Sequence, residues 1–204
     1  MSYILRPLPK GGYAPFRMED AVSVNKFSGD PKTIWVSGEK ADRRMRLLQD
    51  FWYDDPAGKR WFAPEGSLID GASIPQVLWS SIGSPYTGNY RRASVVHDVA
   101  CSDPAISRED ADAMFYSACL AGGCSMLQAK LLYAGVRVGA WVSFQPALAN
   151  LAEQPLEFTY RLPGQRTGEE VMVQAKFVNI ANDLAACGDD FEEIKKLVNK
   201  HLSM

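Results

Sequence analysis

Over residues 1–66, hydrophobic and polar positions alternate in short runs, as in "AVSVNKF" and "TIWVSG", and the segment reads as β-structure with turns. "LLQDFWYDD" and "KRWFAP" flank "DPAG", a turn sequence with Pro then Gly, which predicts a hairpin over about residues 47–64. From residue 75 the spacing turns helical. "PQVLWSSIG" has Pro75 where a first helical residue stands and Gly83 where a helix stops. "NYRRASVVHDVACS" opens on Asn89, a favourable N-cap, and Pro104 breaks it. Ser107 caps "REDADAMFYSACLA", whose first turn is acidic and suits the helix dipole. Gly122-Gly123 ends that helix, and Ser125 opens a longer one that runs to about Gln145, before Pro146.

The C-terminal pattern is mixed. "PLEFTYRL" reads as a strand and "LPGQRTG" as a loop, while "EEVMVQAKFVNIANDLAAC" fits either strand then helix or one helix. "DDFEEIKKLVNKHL" is an amphipathic helix with Phe191, Ile194, Leu197 and Val198 on one stripe. Strand-like and helix-like patterns are segregated, not alternating, so the expected class is α+β. A β-rich N-terminal half with a hairpin packs on a helical bundle spanning about residues 75–145, followed by a small C-terminal α/β appendage. The expected division is a main domain over 1–150 and an extension over 151–204.

Composition narrows the function classes. The 204 residues are 47% hydrophobic, enough for a sizeable core. Formal net charge is −2, with no basic surplus or polybasic run to bind nucleic acid or an anionic membrane. The start, "MSYILRPLPKGGYAPF", lacks the continuous apolar region of a signal peptide. "SMLQAKLLYAGVRVGAWVSF" is interrupted by Lys130 and Arg137, so no integral membrane insertion is expected. Cys101, Cys119, Cys124 and Cys187 show no ligand-type clustering and read as reduced thiols, which implies cytoplasmic synthesis.

The candidate chemistry lies in "ASVVHDVACSDPAISREDADAMF", residues 93–115, which holds one of the chain's two histidines in an apolar run. His97 and Cys101, four apart, share a helix face, and Asp98 points about a quarter-turn away. His97 precedes the helix end at Asp103 by six residues, and Asp112 follows the Ser107 cap by five. At ~1.5 Å per residue both lie roughly 8–9 Å from the turn, so antiparallel packing brings them level. A carboxylate facing His97 fixes its tautomer and raises its basicity, as in a general base. Catalytic candidates are therefore His97, Asp112 and Asp98. In the loop "APEGSLIDGASIPQ", Asp70-Gly71 can turn tightly and Ser73 can cap the next helix. Asp98 and Asp70 are the metal candidates, since carboxylates beside a glycine turn suit a hard divalent cation such as calcium. Ser73 and Arg108 are supporting candidates. The structural alternatives stand beside these: His97 as a hydrogen-bonded core histidine, Asp98 paired with Arg91, Arg92 or Arg108, Asp110 as a solvated first-turn acid, and Cys101 as core packing or a nucleophile beside His97. His201 reads as uninvolved.

Three motifs in order, "P-x-G-x-x-x-D-G-A-S-I-P" (Pro64 to Pro75), "A-x-x-x-H-D" (Ala93 to Asp98) and "R-x-x-A-D-x-x-F" (Arg108 to Phe115), follow the hairpin. Together they resemble the phage and bacterial family called domain of unknown function 1353, over about residues 45–140. Cys101 stands where that family usually has a tyrosine or another large residue. The resemblance implies a phage or prophage setting, with phage structural proteins or self-association as partners and incorporation into a virion as an outcome. The arrangement of His97, Asp98 and Asp112 is also similar to that of small calcium-dependent phospholipases. There a histidine activates water, the adjacent aspartate binds calcium, and an aspartate on the partner helix orients the histidine. "IDGASIP" departs from the glycine-rich calcium loop of those enzymes. Three readings remain: a hydrolase using the His-Asp site, a non-catalytic virion or tail-associated protein, and a small module that binds a host protein.

Overall fold

The computed structural model describes residues 3–7, 13–17, 24–37, 44–84, 87–148, 151 and 166–203. Strands β1 (Tyr3–Pro7) and β2 (Tyr13–Arg17) pair antiparallel. Six short strands follow: β3 (Lys26–Phe27), β4 (Thr33–Trp35), β5 (Met45–Leu47), β6 (Phe51–Asp54), β7 (Arg60–Ala63) and β8 (Leu68–Ile69). They form two antiparallel sheets, ordered β3-β6-β7 and β4-β5-β8. The helices are α1 (Trp79–Ile82), α2 (Arg91–Ser102), α3 (Arg108–Ala121), α4 (Met126–Ser143), α5 (Gly168–Ala186) and α6 (Phe191–Leu202). This is the expected α+β class.

The hairpin forms where the pattern placed it. Along β6 and β7, Phe51, Tyr53, Trp61 and Ala63 face inward while Arg60 and Phe62 face out, the period of a half-buried ribbon. Asp55 organises the turn: its Oδ1 accepts from the amides of Ala57 and Lys59, both at 2.9 Å. Gly58 sits at φ 81°, a left-handed conformation that costs glycine nothing. The inner face of this ribbon packs on α2, which touches β6, β7 and β8.

A 3₁₀ turn, Gln76–Leu78, leads into α1, which stops at Gly83 (φ 98°). Ser73 does not cap this segment; Pro75 holds the cap position without a side-chain bond. Asn89 does not cap α2 either. Tyr90 holds that position, and Asn89 Nδ2 donates instead to the Gly123 carbonyl at 2.8 Å. Its own carbonyl lies so close to Gly122 that a Cβ there would collide with it. The two backbones can meet there because residue 122 is glycine. Ser107 and Ser125 do cap, accepting from Asp110 N at 3.0 Å and Gln128 N at 3.2 Å.

Helix α4 is the central element, packed on α3, α5 and α6. Leu132, Tyr133, Val136, Val138 and Val142 have no solvent exposure, and each buried aliphatic of this kind contributes about 1.5–3 kcal/mol. The polar residues that interrupt the run are partnered inside the protein. Buried Lys130 extends its ammonium to the Cys187 carbonyl (3.0 Å) and to Asp189 (2.7 Å), keeping the stem apolar and the head paired. Among the described residues no helix is long and apolar enough to cross a membrane.

Residues 168–186 resolve the ambiguous segment as one helix, opened by a reciprocal capping box between Thr167 and Glu170. The strand expected at "PLEFTYRL" lies outside the described residues. Val173, Phe177, Ile180 and Leu184 of α5, with Ile194 and Val198 of α6, join the same core as the main helices. Phe191 stacks on Tyr116 with ring centroids 4.6 Å apart.

Candidate functional site

Antiparallel α2 and α3 bring His97 and Asp112 level, and the two make a direct bond. His97 Nε2 lies 2.7 Å from Asp112 Oδ1, and neither side chain is exposed to solvent. Arg108, one turn before Asp112, donates from Nε to the same oxygen at 3.0 Å. Arg137 of α4 donates from Nη1 to Oδ2 at 3.2 Å. Both oxygens are therefore taken. Burial works against the Asp112 carboxylate, but the hydrogen bond from His97 and the Arg108 charge outweigh it and hold the carboxyl below the ordinary carboxylate range. Burial also pushes the His97 imidazole below its ordinary value of 6.5; the bond to Asp112 opposes this without overcoming it, and the Arg108 charge adds to it. The pair is a neutral imidazole donating to an ionised carboxylate.

With Nε2 carrying the proton, Nδ1 is the bare acceptor. It faces Cys101 Sγ at 3.8 Å, while the Phe115 ring closes one side with centroids 4.8 Å apart. Cys101 Sγ lies closer still to Nε2, at 3.5 Å, so it is not lined up on one nitrogen. Burial pushes the Cys101 thiol up to about 12. An activated nucleophile needs a lowered thiol pKa, so Cys101 is not the reactive partner of His97. Its neighbour is Ser73, whose hydroxyl hydrogen-bonds it.

His97, Cys101 and Asp112 bring their ligand atoms within 4.8 Å of one another. The donor set does not fit a metal ion: Asp112 is occupied by two guanidiniums, and Cys101 keeps its proton.

Asp98 and Asp70 also come together, away from His97. The Asp70 amide donates to Asp98 Oδ2 at 2.6 Å, the Gly71 amide bonds the same carboxyl group, and the two carboxyls bond each other. Gly71 has φ 94°, which lets the loop turn both amides toward the helix. Burial, and then the nearby Asp70 charge, raise Asp98 to about 8, so it is protonated at neutral pH and donates to Asp70. A cation at this place would have to displace the shared proton. Asp70, Asp98, Ser102, Arg44, Leu68 and Ile69 line an open cleft of about 170 Å³, and His97 does not reach its wall.

The remaining candidates fall elsewhere. Asp110 is an exposed first-turn acid. Arg92 stacks over Phe27, with its guanidinium carbon 4.9 Å from the ring centroid, and does not pair with Asp98. His201 bonds Asp183 at 2.8 Å, far along the C-terminal helices. Arg137 is the site residue that sequence reasoning missed. A cation inside an apolar helical stripe was the available signal, since burial there demands a carboxylate partner.

Fold and site define an α+β domain built around a sealed histidine–aspartate pair. Residues 45–136 match a family described as a protein of unknown function, DUF1353, and the match spans the motifs on which the resemblance rested. Two similar curated proteins come from Sinorhizobium fredii (strain NBRC 101917 / NGR234). The uncharacterized protein y4jT is 37% identical over 124 residues, covering 60% of this chain and 36% of the relative. The uncharacterized protein y4iH is 33% identical over 112 residues, covering 55% and 46%. The chain thus spans less than half the length of either relative. No solved structure matches.

Proposed function

We propose that this protein is a non-catalytic structural module of a phage or prophage, in which His97 and Asp112 brace the helical hairpin instead of performing hydrolysis. The observation that carries the reading is the sealing of the cluster. His97 has no exposed surface, Nε2 is bonded to Asp112, and Cys101 Sγ lies against the ring within 4 Å of both nitrogens. A general base must reach its substrate's proton directly or through one water. The phage setting rests on the family resemblance. Partnership with phage structural proteins or with a second copy is supported by the outer face of the β4-β5-β8 sheet. There Ile34, Arg46 and Leu68 are opposed across the strands, and Ile34 and Leu68 are 55% and 49% exposed. Exposed aliphatics grouped in this way suit protein contact.

One observation favours the hydrolase reading. Cys101 is half-buried, its Sγ lies 3.5 Å from His97 Nε2, and the next residue, Ser102, lines the cleft. Both readings meet in one experiment. The parent, Cys101→Gly and His97→Gln are assayed on a phospholipid, a soluble ester and peptidoglycan, with thermal denaturation alongside. The structural reading expects no turnover from the parent or Cys101→Gly, and a lowered melting temperature for His97→Gln. Turnover that His97→Gln abolishes in a folded protein would overturn it.

A further inference from the structure

We propose that Cys119 and Cys124 form a redox-responsive thiol pair that closes to a disulfide on exposure to a peroxide. The Gly123 amide donates to the Leu120 carbonyl at 3.0 Å, and the Cys124 amide donates to the Cys119 carbonyl at 3.0 Å. These are the two bonds of a Schellman closure, with Gly123 in the left-handed position at φ 96°. In that motif the first and last residues of the crossing bond bring their side chains together, normally as an apolar contact. Here both are cysteines, and each thiol shifts the ionisation of the other. A disulfide requires Cα atoms within about 4.4–6.8 Å and facing Cβ vectors. The 3.0 Å backbone hydrogen bond between the two residues holds their backbones close together.

The environments of the two sulfurs differ and assign their roles. Cys119 is fully buried, and burial keeps it a thiol. Cys124 is 7% exposed, and the neighbouring Cys119 thiol lowers its pKa against a smaller opposing effect of burial. Cys124 is therefore the attacking sulfur. Its thiolate attacks one peroxide oxygen, the O–O bond breaks, and sulfenic acid forms at Cys124 with release of hydroxide, which takes up the proton lost on ionisation of Cys124. The Cys119 sulfur then attacks the sulfenic sulfur, an S–S bond forms, and the sulfenic oxygen leaves with the Cys119 proton as water. Two thiols are oxidised, one hydrogen peroxide is reduced, and two waters result. Cys101 lacks such a partner, since its thiol faces His97 and Ser73.

The test uses the full chain, reduced, freed of reductant and treated with hydrogen peroxide. Trypsin cuts after Arg108 and Lys130, which isolates Cys119 and Cys124 in one peptide without Cys101 or Cys187. The expected result is a peptide lighter by two hydrogen atoms that takes up no iodoacetamide until it is reduced. Thiol titration of the denatured protein should lose two of the four thiols. In Cys119→Ser, Cys124 should instead be trapped as a sulfenic acid that reacts with dimedone. The proposal is overturned if both cysteines of this peptide remain alkylatable after Cys187 has been oxidised, or if Cys124 of the parent proceeds to sulfinic acid with Cys119 still free.

Discussion

Replacing Asp112 by Asn tests the brace directly. The carboxylate accepts from His97 Nε2 at 2.7 Å, Arg108 Nε at 3.0 Å and Arg137 Nη1 at 3.2 Å, all from a position with no exposure. An asparagine keeps the shape, and its one oxygen can still accept from His97 and Arg108. Its amide nitrogen then faces a donor, and two guanidiniums lose their counter-charge. Breaking a buried pair by removing one partner costs about 3–5 kcal/mol. The lower end applies, because the Arg108 and Arg137 side chains are 27% and 17% exposed and water takes up part of the loss. The expectation is about 3 kcal/mol, which for a chain of this size lowers the melting temperature by roughly 6–12 °C. Urea denaturation at neutral pH measures it, with the slope unchanged if folding stays two-state. A loss under about 0.5 kcal/mol, the range of an ordinary surface change, would refute the claim that Asp112 organises the cluster.

Further outcomes follow from the same geometry. Asp98 has a folded pKa near 8 against an ordinary 3.8, so its contribution is fully present at low pH and is lost as pH rises toward 8. Asp98→Asn, which imitates the protonated acid, should therefore be more stable than the parent at pH 8 and gain less at pH 5; equal gains at both would contradict the shared proton. Gly139→Ala should destabilise strongly, because a Cβ there collides with the Ser73 carbonyl, whereas the Cβ of Gly135→Ala meets the flexible end of Ile82. Thermal melts that rank the two in the opposite order would contradict the α4 packing. Thr167→Ala should cost about 1 kcal/mol through loss of the capping box that opens α5.

Much of this architecture was legible because local chemistry and tertiary packing agree. Asp55, Pro56 and Gly58 announce the hairpin turn, and Ser107 and Ser125 stand where they cap. Helix arithmetic across the α2–α3 turn placed Asp112 opposite His97. Where reading failed, a distant partner decided. Asn89 has the chemistry of a cap, but the Gly122-Gly123 turn draws its side chain away from α2. Ser73 serves Cys101 instead of a helix N-terminus. Arg137 was legible only as an interruption of an apolar helix, since nothing near it in sequence reveals a carboxylate twenty-five residues away. The Asp70–Asp98 proton is likewise a product of two elements meeting. Two acids twenty-eight residues apart suggest a cation until the loop amides are seen to hold one of them.

The central claim is that His97 is a sealed, neutral brace, and the titration of its ring tests this most directly. The chain has two histidines, so the imidazole resonances are few enough to follow individually by NMR from pH 8 downward. Because burial lowers the folded pKa of His97 below 6.5, the stability it supports is present above that value and is lost as pH falls beneath it. The His97 ring is expected to keep its neutral shifts below pH 6.5 in the folded protein and to charge only at lower pH or as the protein unfolds. A reversible titration of His97 at or above 6.5 with the fold intact would contradict the account and return His97 to the role of an accessible base.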